Sequence, residues 1–147
     1  MKRCGLFSVL GLLAVVQTGC GGSTGSSSKE AYVSRVNSIC ARYNGLQRAL
    51  GQPAGSLQSQ AAAAHRSNVL TLGEVAAIRR VPSPPRDERV IASMLTETER
   101  AARTADASTR LVFKDVRKAN EAATTAMLTL RHVNARFAAY GLTVCAQ

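Results

Sequence analysis

After Pro85 the chain runs as far as Tyr140 without a glycine or another proline. A single helix over that span would be about 84 Å long at roughly 1.5 Å per residue. No core that a chain of 147 residues can build would cover it. The segment therefore has to turn back on itself. Two apolar stripes lie within it. Val90, Ile91, Met94, Leu95, Thr98, Ala101, Ala102 and Ala105 recur at helical steps. Val112, Val116, Ala119, Ala123, Met127, Leu130, Val133, Phe137 and Tyr140 follow near heptad spacing. A helix–helix turn is predicted at Asp106-Ala107-Ser108-Thr109, and Gly141 supplies the C-terminal stop, with Leu142 folding back on the last turn. With 3 Phe, 3 Tyr and no Trp in a chain that is 46 % hydrophobic, the core must be built from small and aliphatic residues, which suits closely packed helices. Alternating Val/Ile/Thr runs are too few to supply strands.

Ahead of this segment, Val81-Pro82-Ser83-Pro84-Pro85 must interrupt helix, because proline lacks a donor and disfavours helical geometry in the residue before it. The same residues predict the next start: Ser83 as cap, Pro84 or Pro85 in the first helical position, Asp87 and Glu88 complementing the dipole. A helix from about Ser56 to Arg80 is expected to be continuous, although Gly73 and the possible capping box Thr71-Leu72-Gly73-Glu74 leave a break near Thr71 open. A first helix is expected to begin at the capping box Ser27-Ser28-Lys29-Glu30 and end at Gly51, Pro53 and Gly55. Its stripe is Tyr32, Val36, Ile39, Cys40, Tyr43, Leu46 and Leu50. The fold class is all-α, a four-helix up-and-down bundle.

The amino terminus reads as an address. A basic start (Lys2, Arg3), an apolar run from Leu6 to Val16 and small residues before Cys20 make an export signal over 1–19. The run falls short of the roughly 20 apolar residues a spanning helix needs, so a retained membrane helix is the weaker reading. Gln17-Thr18-Gly19-Cys20 resembles the lipobox of bacterial lipoproteins, which implies a lipid on Cys20, although Gln17 stands where that motif usually has an aliphatic residue. The alternative is an ordinary thiol after an ordinary signal. Gly21 to Ser28 then forms a Gly/Ser-rich tether over 20–28, ahead of a helical domain over 29–147. With Cys4 removed and Cys20 lipidated, Cys40 and Cys145 remain as an even pair in an oxidising compartment, and one disulfide is expected.

The segments Tyr32-Val33-Ser34-Arg35-Val36-Asn37-Ser38-Ile39-Cys40-Ala41 and Tyr140-Gly141-Leu142-Thr143-Val144-Cys145-Ala146 resemble a group of uncharacterised small actinobacterial lipoproteins. The resemblance implies a disulfide-closed helical domain and no particular activity.

Loss of Lys2 and Arg3 with the signal lowers the net charge from +10 to +8, so the domain stays basic. Outside a membrane the partners for such charge are anionic lipid headgroups, acidic wall polymer or acidic envelope proteins rather than nucleic acid. Arg79, Arg80, Arg86 and Arg89 concentrate it around the proline link and are the candidate anion-binding residues, against the simpler reading of a solvated corner. His65 and His132 lie on different helices without an acid or thiol at metal-ligand spacing, so no metal is expected. The close acidic pairs Asp87/Glu88 and Glu97/Glu99 read as solvated faces. With no catalytic motif, the sequence favours a non-enzymatic, membrane-anchored binding or interaction module without cofactor on the extracytoplasmic face. Its rivals are an envelope hydrolase or transferase with a dispersed site, and a purely structural component.

Overall fold

The computed structural model describes residues 28–53 and 55–147. The signal segment, Cys20, Ser27 and nearly all of the tether lie outside the described residues. Four helices follow in order: α1 (Lys29–Ala49), α2 (Leu57–Ile78), α3 (Glu88–Leu111) and α4 (Val116–Tyr140). Each antiparallel step is fixed by side chains. Gln47 of α1 meets Ser67 of α2, and Tyr43 lies against Gly73. His65 and Arg79 of α2 meet Asp106 and Glu99 of α3. Arg136 and Tyr140 of α4 meet Glu97 and Asp87 on the α3 side. The expected up-and-down bundle is formed.

Several boundaries differ from expectation. Ser28, rather than Ser27, caps α1 and accepts a hydrogen bond from the Ala31 amide at 3.1 Å. Glu30 therefore falls one position short of the reciprocal capping contact and only complements the helix dipole. Helix α2 continues through Gly73. A Cβ there would sit 3.2 Å from the Tyr43 ring, so the missing side chain lets α1 lie close, which offsets the weak helix propensity of glycine. Ser83 does not cap α3. The Asp87 amide instead closes a turn onto the Pro84 carbonyl at 2.9 Å, which leaves both Pro84 and Pro85 ahead of the helix, and Asp87 is the cap position.

The turn between α3 and α4 lies at 112–115, not at 106–109. In helical geometry the Ser108 and Thr109 hydroxyls donate to the carbonyls of Ala105 and Asp106, each at 2.7 Å, and the Asp106 carboxylate is engaged by His65 and Arg110. None of these groups needs a turn to be satisfied. Asp115 caps α4 by accepting from the Lys118 amide at 3.0 Å.

The core comprises Tyr32, Val36 and Cys40 of α1, Val75 and Ile78 of α2, Ile91, Met94 and Leu95 of α3, Val133 and Phe137 of α4, and Leu142 beyond it. Between α3 and α4 the buried positions Ala101, Ala102, Ala119 and Ala126 let two backbones approach. The α4 seam is narrower than its sequence stripe: Val116 and Met127 are exposed, as are Val90 of α3 and Leu46 of α1.

Gly141, at φ +106°, ends α4 in the left-handed region that only glycine enters cheaply, and the Leu142 amide reaches back to the Phe137 carbonyl at 2.8 Å. The tail then runs along α1, as a bond from Cys40 requires. Asn37 donates to the Gly141 carbonyl and accepts from the Val144 amide, and Asn44 donates to the Val144 carbonyl at 2.9 Å. These two asparagines lie on one face of α1 and give an irregular segment the backbone partners it would otherwise lack. Cys40 and Cys145 are bonded, with Cα atoms 5.1 Å apart.

Candidate binding cavity

Where the tail crosses the bundle, all four helices and the tail enclose a cavity of about 250 Å³. Thr71, Glu74, Val75 and Ile78 contribute one face of α2, since steps of three and four residues bring side chains to the same side. Leu95 and Phe137 add apolar wall, and Cys145 places the disulfide at the edge. Glu74 is the ionisable side chain among the lining residues.

The acids of the chain sort by environment. Glu97 accepts from Ser93 and Arg136, Glu99 binds Arg79 and Arg103, and Asp106 binds His65 and Arg110. Asp87 accepts the Tyr140 hydroxyl at 2.7 Å, while Asp115 and Glu121 pair with Lys118 and Arg117. Glu30 and Glu88 are exposed. Glu74 alone is neither exposed nor partnered among the described residues. Burial with no compensating charge pushes its carboxyl up to about 7. By contrast, hydrogen bonds from Arg136, Arg103 and His65 hold Glu97, Glu99 and Asp106 below the ordinary carboxylate range.

The neighbouring polar groups are already committed. Gln47 binds Ser67 and Thr71, Asn44 holds the tail, and Thr98 donates to the Met94 carbonyl. Asn134 of α4, also in the lining, has no hydrogen bond among the described residues. The cavity thus presents one carboxylate and the carboxamides of Asn134 and, at its exposed tail end, Gln147 against an apolar wall, the usual makeup of a small-ligand site. No protein-family model, curated protein or solved structure matches the chain.

The Glu74 carboxylate lies within 4.8 Å of the sulfurs of Cys40 and Cys145, the one metal-like grouping of three among the described residues. Both sulfurs are bonded to each other, which withdraws them as thiolate ligands. His65 is placed against Asp106, 41 residues away, and His132 is on another face, so the histidines do not meet. The acidic pairs expected to be solvated divide: Glu97, Glu99 and Asp87 join helices, and Glu88 is exposed.

The arginine corner is exposed, but its members are not equivalent. Arg79 is held by Glu99 at 2.7 Å, whereas Arg80, Arg86 and Arg89 form no ion pair among the described residues. A larger groove of about 780 Å³ runs between α2, α3 and α4, lined by alanines with Met127 and Leu130. It is open to solvent and offers Arg131 as its charged group, so little in it would orient a ligand. Sequence reading missed the Glu74 cavity. The available signal was a carboxylate on the same face as Thr71, Val75 and Ile78.

Proposed function

We propose that this protein is a cell-envelope lipoprotein, tethered to the extracytoplasmic face of the membrane through Cys20, whose helical domain binds a small ligand in the Glu74 cavity. The observation that carries this reading is a partly enclosed cavity holding an unpartnered carboxylate, while the other acids among the described residues are paired or exposed. Leaving a carboxylate there is costly unless something neutralises it, and sites that keep such a cost are enriched in function. Binding rather than catalysis fits the lining, in which Glu74 is the one ionisable side chain and the Thr71 and Thr98 hydroxyls are held by the Ser67 and Met94 carbonyls. The volume is below the roughly 300–1,000 Å³ of sites for drug-sized molecules, which favours a smaller ligand.

The anchor is supported by the signal over 1–19 and Gly19-Cys20, and by the tether that follows. Among the described residues no helix is long and apolar enough to cross a membrane. The basic surface, with Arg80, Arg86 and Arg89 unpaired, would sit favourably against anionic headgroups or wall polymer. The test is a screen of small polar molecules by NMR, following the methyl signals of Val75, Ile78 and Leu95. Molecules that move these three signals together support the cavity as a site; a screen in which none does so removes it.

A further inference from the structure

We propose that the cavity selects small organic amines, with the Glu74 carboxylate as counter-ion to the ammonium group and the Asn134 carboxamide oxygen as a second acceptor. The proposal rests on the binding reading above and names the ligand class. An ammonium group donates hydrogen bonds and accepts none, which matches a carboxylate and a free carboxamide oxygen. It also neutralises the half-buried charge, which a neutral hydroxyl ligand would not. Val75, Ile78, Leu95 and Phe137 form the apolar wall that an alkyl stem would occupy. Asn44, Gln47 and Thr98 have partners of their own, so they shape the site without competing for the ligand charge.

A metal ion is a poorer occupant, because the two sulfurs nearest the carboxylate are bonded to each other. The net charge of +10 opposes any cation at long range. Beyond about 8 Å, however, exposed charges are largely screened at physiological salt, whereas the ammonium would touch Glu74.

The contact carries a pH signature. The polar side chains that line the cavity with Glu74 are neutral on every element: Asn44 and Gln47 on α1, Thr71 on α2, Thr98 on α3, Asn134 on α4, and the disulfide and Gln147 on the tail. Glu74 is thus the side chain whose titration can change the site, and it does so at about 7. An alkylammonium stays protonated across this range, as lysine does. Its affinity should therefore follow the ionised fraction of Glu74 and rise about tenfold between about pH 6 and pH 8.

The experiment uses the full chain in detergent, with n-butylammonium and its neutral counterpart n-butanol as probes, read at the Val75, Ile78 and Leu95 methyls. Wild type should bind n-butylammonium with the tenfold pH rise and n-butanol without one. Glu74→Gln should bind n-butylammonium roughly ten- to a hundredfold more weakly at about pH 8, the range for a hydrogen bond to a charged group. Its helical circular dichroism and cooperative urea unfolding report whether it is folded. A pH-independent n-butylammonium affinity in wild type overturns the amine assignment even if the variant fails to fold. Unchanged n-butylammonium binding by a folded Glu74→Gln does the same. If n-butanol binds and the amine has no advantage, the cavity stands and the amine class falls; if neither probe moves the methyls, both readings fall.

Discussion

Replacing Glu74 by Gln should stabilise the fold at neutral and alkaline pH and leave it unchanged in acid. In the unfolded chain this carboxyl ionises near its ordinary 4.5, but in the folded cavity only at about 7, because burial disfavours the charged form. Below the unfolded value both states hold the proton and the residue costs nothing. Between the two values the unfolded chain releases its proton first, so stability falls as pH rises, and above about 7 the penalty is constant. At about 1.4 kcal/mol per tenfold in proton affinity, the offset corresponds to about 3 kcal/mol, which solvent at this partly exposed side chain lowers to about 2 kcal/mol. Glutamine keeps the shape and removes the charge. Urea unfolding of a chain beginning at Ser26, followed by circular dichroism, should show Glu74→Gln about 2 kcal/mol more stable than wild type at about pH 8. The corresponding rise in Tm is roughly 6–10 °C. The two proteins should coincide at about pH 4. The acid loss of the Glu97, Glu99 and Asp106 contacts affects both proteins alike and leaves the difference intact. A variant less stable than wild type at about pH 8 would refute the reasoning, since the carboxylate would then have a favourable partner.

Four other outcomes follow from the same contacts. Replacing Cys40 and Cys145 together by Ala opens a loop with a sequence separation of 105, which should cost on the order of 4–5 kcal/mol in urea unfolding; a loss below about 1 kcal/mol would mean that the tail stays ordered without the bond. Tyr140→Phe removes the hydroxyl that Asp87 accepts and should cost about 1–2 kcal/mol, whereas an unchanged midpoint would place that contact in free exchange with water. Changing Arg80, Arg86 and Arg89 to Gln should weaken binding of the chain from Ser26 to anionic vesicles about a hundredfold at low salt, at about 1 kcal/mol per cation; equal binding would reduce the corner to a solvated turn. Intact mass spectrometry of the membrane-bound protein should give a chain beginning at Cys20 and carrying acyl mass, and an unmodified Cys20 thiol there would rule out the lipid anchor.

The sequence by itself determined the helices and their number, because apolar recurrence, the prolines of 82–85 and the stop at Gly141 act over a few residues and do not depend on what packs where. The cysteine pair was also legible, through counting rather than geometry. Boundaries set by competition were not. Asp106-Ala107-Ser108-Thr109 reads as a turn locally, but the His65 contact and two hydroxyl-to-carbonyl bonds satisfy it as helix, and the turn moves to where Asp115 can cap. Ser83 looks like a helix cap, but Asp87 takes that position, and its carboxylate accepts from Tyr140, 53 residues away, instead of from the helix amides. Asn37 and Asn44 carry no signal in a sequence, since their role is to bind a tail about a hundred residues further on. Glu74 is the sharpest case. Along the chain it looks like part of a capping motif, and only the meeting of four helices and the tail withdraws it partly from water without giving it a partner. Local propensity is written in neighbouring residues, whereas desolvation is a property of everything that surrounds a group, so the helices could be read in advance and the cavity could not.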